Sequence, residues 1–399
     1  MKHARFRASA GKVWVGLALL LVIGCHGDRS LGVADSFVVY APAAGGARIA
    51  AGPVVVPLAP DDPRAQPLFE QLAVGFPGEV LRTDYLAKQL VRDAMLGGRR
   101  YPEPARTAAG EPTAFLVSAP DGREVERGLS LKGMFGTPEA HPDVVWIGLP
   151  AYPDHDRALP QTLAGLLARV VANRVAAGAG AEPPAALVNG YARALEVIAR
   201  EWRVGEGVSG TLAPDAGTTA QRQLFAAVRE NQFAVGADGK PRPAQELLSD
   251  PGLAATVLYR LVQSKTVGRK VAPAEVYAPF VTDRIPPGVS PAAVLGPFRN
   301  FQAKLLSAWG RAVLEGRPPK DIADLVEAYG RALPAERAEV IRIFVVTTYG
   351  ATVRRGGVPL PAGEPGAALP ELTALAAEVA AGKVSLRGAL PPESQRASQ

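Results

Sequence analysis

Cysteine is almost missing from this chain: among 399 residues only Cys25 carries a thiol, which excludes an intramolecular disulfide. Histidine is nearly as scarce, with four in all, at positions 3, 26, 141 and 155, so imidazole chemistry has few places to reside. No Gly-x-x-x-x-Gly-Lys-Ser/Thr loop and no Gly-x-Ser-x-Gly elbow occurs, which removes the two commonest sequence signatures of phosphate cradles and serine nucleophiles. Gly205-Glu206-Gly207-Val208-Ser209-Gly210 matches Gly-x-Gly-x-x-Gly by letters. It follows a helical pattern instead of a strand, so it reads as a loop. Apolar runs of membrane length are lacking too: the longest, Val13 to Ile23, falls short of the roughly 20 residues needed to cross a hydrocarbon core of ~30 Å.

That short run follows Lys2, Arg5, Arg7 and Lys12 and ends in Gly24-Cys25. The arrangement resembles a bacterial lipoprotein signal, with a basic n-region, a short apolar core and a small residue before the cysteine. The resemblance implies cleavage after residue 24, lipidation of the Cys25 thiol and membrane anchoring through the lipid. In that family Asp after the cysteine retains the protein at the inner membrane; His26 here implies the outer membrane. Residues 25–34 then form a tether, and Pro391 to Gln399 a polar, disordered tail.

Loss of residues 1–24 changes the charge. The chain has 44 basic and 38 acidic residues, and four basic and no acidic ones lie in the signal, leaving 40 against 38. A net of +2 with no Lys/Arg block excludes a nucleic-acid footprint.

Periodicity changes near residue 157. Before it, β-branched runs at Phe37–Tyr40, Val54–Val56, Ala114–Ser118 and Val144–Ile147 predict strands, and Asp121-Gly122 a hairpin turn. Ala65–Phe76 and Leu81–Leu96 predict helices. After it nearly every segment is helical: Asp250 with Pro251 marks a helix start, Ser290-Pro291 another, and further helices are expected over 321–333, 335–349 and 369–381. The fold class read from this is α+β, with an α+β domain over 35–210 that includes a junctional helix pair and a helical domain over 211–390. Phe298, Phe301 and Trp309 lie close to one helical face, where core packing is expected.

The junctional pair carries the one constellation that suggests ancestry. A strand at 144–148, a helix opening Gln161-Thr162-Leu163-Ala164-Gly165 and a second helix holding Leu187-Val188-Asn189-Gly190-Tyr191-Ala192 resemble the core of gluzincin-type zinc metallopeptidases. There a His-Glu-x-x-His helix places two ligands at i and i+4, and a second helix adds the third. Mapped residue by residue, Gln161 and Gly165 stand at the two histidine positions, Thr162 at the general base and Asn189 at the third ligand. The resemblance therefore implies a core without zinc, with no cofactor, whose groove could hold a peptide or envelope protein without cutting it. In that groove Gln161 and Asn189 would orient the peptide by hydrogen bonds, and a side chain at Gly165 would obstruct it. Two other readings stay open: a metal-dependent hydrolase using His141, His155 and Asp156, which flank the 144–148 strand, and a solute-binding lipoprotein. The second lacks the alternating strand–helix pattern of two α/β lobes, and the histidine loops read first as solvated turns.

Overall fold

The computed structural model describes residues 37–42, 48–49, 52–53, 55–59, 61–63, 65–83, 87, 113–117, 144–147, 155–177, 184–205, 218–277, 291–359 and 368–390. The signal, Cys25, the tether, the Asp121-Gly122 turn, His141, most of the helix expected over 81–96 and the tail lie outside the described residues.

Four short strands build one sheet: β1 (Phe37–Pro42), β4 (Val55–Pro57), β5 (Thr113–Val117) and β6 (Val144–Ile147). The two-residue strands β2 (Arg48–Ile49) and β3 (Gly52–Pro53) pair separately. In the order β4-β1-β5-β6, β5 runs parallel to both neighbours and β4 is an antiparallel edge. Val39, Ala41 and Phe115 are buried, the period of two that sends alternate side chains to one face. Every expected strand is present within a residue or two.

Helix α1 (Gln66–Val74) ends at Gly75, and the chain turns straight into a second helical segment over 76–83. The second segment was expected from Leu81 and instead begins at Phe76, because Pro77 suits a first helical turn. Gly78 permits the tight joint, since a Cβ there would lie 2.2 Å from the Leu72 carbonyl oxygen.

The rest is helical: α2 (His155–Ala177), α3 (Ala185–Gly205), α4 (Thr219–Arg229), α5 (Ala244–Ser249), α6 (Pro251–Gln263), α7 (Lys265–Arg269), α8 (Ala274–Tyr277), α9 (Pro291–Leu314), α10 (Ile322–Ala332), α11 (Arg337–Thr347) and α12 (Leu369–Ala380). The fold-class expectation is corrected here. The described residues are mainly helical with few strands, which bears out the helical domain expected over 211–390 but not the mixed strand and helix region expected before it. Its β-branched runs are short, whereas the Ala-, Leu- and Arg-rich segments that favour helix are long.

The helix boundaries follow their caps. The Asp250 carboxylate accepts from Gly252 N at 2.7 Å with Pro251 in the first turn, and Asp321 accepts from the Ala323 and Asp324 amides. Each such cap is worth about 1 kcal/mol. Within α9 the backbone breaks at Gly296, where φ is 72° ahead of Pro297; no helical residue can take that angle.

One hydrophobic core extends from Val39 to Leu386. Phe298, Phe301 and Trp309 are buried in it as expected, with Tyr191, Tyr277, Tyr329 and Phe344. Tyr191 meets Trp309 edge-on at 6.3 Å between ring centres. Full burial of such side chains contributes about 1.5–3 kcal/mol each.

Candidate functional site

Helices α2 and α3 form an antiparallel hairpin. Along α2, Leu163, Ala164, Leu167, Ala168, Val171, Ala172 and Val175 are buried; along α3, Leu187, Tyr191, Ala194, Leu195 and Ile198 are. Helix α3 packs against α2 on one side and α6 on the other. Gly190 sets the second contact: a Cβ there would lie 2.4 Å from the Ala254 Cβ and 3.1 Å from the Pro251 carbonyl oxygen. Only a glycine lets the helices come so near.

The positions singled out by the metallopeptidase resemblance fall on this hairpin. Gln161 is 2% exposed, and its Nε2 has no hydrogen-bond partner. Half-buried Thr162 accepts a 3.2 Å hydrogen bond from Gln221 Nε2 on α4. Gln221 belongs to the α4 capping box, exchanging hydrogen bonds with Thr218 through its amide N–H and its Oε1. The residue at the general-base position is thus tied to the start of a neighbouring helix. Gly165 lies against α3: an added Cβ would meet the Glu196 side chain at 3.5 and 3.6 Å and the Ala192 carbonyl oxygen at 3.7 Å. Asn189 is half-buried in the second turn of α3. It is not among the nearest neighbours of that added Cβ, so Gly165 is covered first by Glu196 and Ala192.

No protein-family model, no curated protein and no solved structure matches this chain.

Of the histidine candidates, His155 and Asp156 open α2, but only their backbone is described; His141 is outside the described residues. Among the described residues no group of three or more His, Cys, Asp or Glu is placed to hold a metal ion, and no helix is long and apolar enough to cross a membrane.

Polar clusters that periodicity does not reveal lie elsewhere in the helical body. The fully buried Lys304 donates to both Glu336 oxygens at 2.9 and 3.0 Å, to the Lys270 carbonyl at 2.9 Å and to the Val267 carbonyl. Tyr329 donates its hydroxyl to Glu336 at 2.8 Å. Burial pushes the Lys304 ammonium below its ordinary value against the pull of Glu336, and burial together with Glu336 pushes the Tyr329 hydroxyl up. Beside them Asn300 donates to the Gly268 and Lys270 carbonyls and accepts from the Tyr277 hydroxyl at 2.6 Å. The whole set secures α7 and Lys270 just after it against α9 and the turn that precedes α11. It is closed to solvent, which makes it a structural staple. Its one signal in the sequence is a lysine amid the apolar stripe Phe301, Leu305 and Leu306.

Two further ionic clusters include pairs between distant segments. Glu79 takes both Arg299 on α9 and Arg82; burial pushes its carboxyl up, but the hydrogen bonds and charges of the two arginines outweigh this and hold it below its ordinary value. Arg387 reaches Asp321 and Asp324 at the start of α10 at 2.5 and 2.6 Å.

Proposed function

We propose that this chain is an exported, lipid-anchored protein of the cell envelope with a binding or scaffolding role, built on a metallopeptidase-like helix pair without zinc ligands. Its small α+β layer, the sheet with α1 and the 76–83 segment, precedes the helical body. The anchor is the lipid on Cys25, with His26 directing the protein to the outer membrane, and the partner is an envelope protein or peptide.

The observation that carries the non-catalytic reading is the use of the former site. Thr162 is hydrogen-bonded to α4 and Gly165 is laid against α3, while Gln161 and Asn189 offer carboxamides that hydrogen-bond a chain but neither hold Zn²⁺ tightly nor generate a metal hydroxide.

Metal content and peptide hydrolysis of the full chain purified without a His-tag test this directly. Substoichiometric zinc and no turnover are expected; stoichiometric metal that disappears in His155→Ala or His141→Ala would overturn it and install the hydrolase reading. For the anchor, mass spectrometry of the membrane fraction should find an acylated peptide beginning at Cys25. A Cys25→Ser protein still cut at the same bond and equally membrane-bound would remove that part of the proposal.

A further inference from the structure

Helices α2 and α3 each leave one stripe unburied. On α2 it runs through Thr162, Gly165 and Arg169, and on α3 through Asn189, Arg193 and Glu196, at the three- and four-residue spacing that lines one side of a helix. The stripes meet at Gly165, where an added Cβ would touch Glu196 Oε2 at 3.5 Å and the Ala192 carbonyl oxygen at 3.7 Å. Arg169 lies one turn beyond Gly165 on its own helix, and Arg193 directly follows Ala192 on the other. Each helix therefore carries a guanidinium beside the same glycine.

Neither arginine has an acid. Among the described residues Arg169 and Arg193 make no hydrogen bond and no ion pair, and Arg169 Nε lies buried without an acceptor. Arg242, Arg299 and Arg387, by contrast, are each held by a carboxylate. Glu196, the acid on these stripes, is bonded to neither Arg169 nor Arg193, and one carboxylate cannot neutralise both. The remaining nitrogens of the two guanidinium groups are not among the buried unpartnered atoms, so water and a ligand reach them. An accessible face with positive charge left over attracts an anion.

We propose that this face binds an acidic segment of a polypeptide, an inference that rests on reading the α2–α3 pair as a peptide groove and names the chemistry of its occupant. Arg169 and Arg193 each take an Asp or Glu side chain, whose planar carboxylate matches the guanidinium fork. Gly165 has no side chain, so the backbone between those acids can lie close to the helices. Asn189 and Glu196 accept its N–H groups. Glu196 also selects against a phosphate polyanion, which it repels and which brings it no proton donor, whereas a peptide supplies N–H groups along with its acids. A membrane surface fits less well, because the exposed large hydrophobic residues among those described, Val271 and Leu369, lie on neither stripe and nothing here would enter the headgroup layer.

The test measures the fluorescence anisotropy of a labelled Glu-Ala-Glu-Ala-Glu peptide, and of its Gln and Lys counterparts, with the full chain in non-ionic detergent. The Glu peptide should bind, more weakly as salt is raised, and the Gln peptide should bind about 10-fold less tightly. Arg169→Gln and Arg193→Gln should each cost about 5-fold, the upper end for a part-exposed ion pair, at unchanged melting temperature. Arg169→Glu with Arg193→Glu should turn the preference to the Lys peptide, and Arg311→Gln, exposed on α9, should change nothing. If the Gln peptide binds as well as the Glu peptide, both arginine variants are silent and Gly165→Leu blocks both peptides, the acid preference is overturned while the peptide groove stands. Absence of binding, binding of the Glu peptide that ignores both arginines, or displacement by tripolyphosphate at lower concentration than by unlabelled Glu peptide would overturn the site.

Discussion

One added methyl group, placed at either of two glycines on the α2–α3 hairpin, should have opposite effects. At Gly190 a Cβ would lie 2.4 Å from the Ala254 Cβ, where carbon atoms rest at about 3.5–4.0 Å. Helices α3 and α6 must part by about 1 Å, an overpacking penalty of roughly 1–3 kcal/mol, and the better helix propensity of alanine returns no more than about 1 kcal/mol of it. At Gly165 the first contacts are at 3.5, 3.6 and 3.7 Å, ordinary spacing, so alanine brings its propensity gain of about 1 kcal/mol with no offsetting strain. Gly165→Ala should raise the melting temperature and Gly190→Ala lower it, each by about 2–4 °C. Urea midpoints at unchanged slope should show the same signs. Ala254→Gly added to Gly190→Ala removes the atom that is struck, and the pair should couple by about 1 kcal/mol or more. Equal responses at the two glycines, or a purely additive double variant, would refute the packing argument.

The larger Gly165→Leu should also fold, because it meets the flexible Glu196 side chain first; loss of partner capture at near-normal melting temperature is then expected from a crosslinking assay, and collapse of the fold would make Gly165 a packing residue. Lys304→Met leaves Glu336 buried with Tyr329 alone and should destabilise by about 3–5 kcal/mol, whereas Lys304→Met with Glu336→Leu should recover part of that loss in urea unfolding. Because the Glu79 carboxyl is held below its ordinary value, its contribution is present at neutral pH and is lost as pH falls past the ordinary glutamate pKa of about 4.3 and on through the lower folded-state value. Arg299→Gln should accordingly flatten the fall in melting temperature below pH 5.

Local signals carried much of the fold. The helix starts at Asp250-Pro251 and Ser290-Pro291 and the short β-branched runs marked elements whose observed bounds differ by a residue or two, because each depends on neighbours in sequence. The helical second half was legible, and the misjudgement lay in the first, where four short strands were given the weight of a domain. What stayed hidden was pairing at a distance. Nothing in the stripe of α9 indicates that Lys304 will find Glu336. For the helix pair, the letters Gln161, Thr162, Gly165 and Asn189 showed what chemistry is absent. That α4 ties Thr162 through Gln221, and that Glu196 covers Gly165, follows only from three-dimensional packing.

The contacts of α9 also dictate an order of assembly. Tyr191 donates to Gln302 at 2.6 Å and Glu79 grips Arg299, joining residues 111 and 220 positions apart. The segment over 76–83 and the α2–α3 hairpin therefore have no finished surface to rest on until α9 has emerged. Long loops must close before those contacts form, which slows folding and leaves apolar faces open meanwhile. If the chain is exported as proposed, it would spend that interval incomplete on the far side of the membrane, with those apolar faces open until α9 arrives.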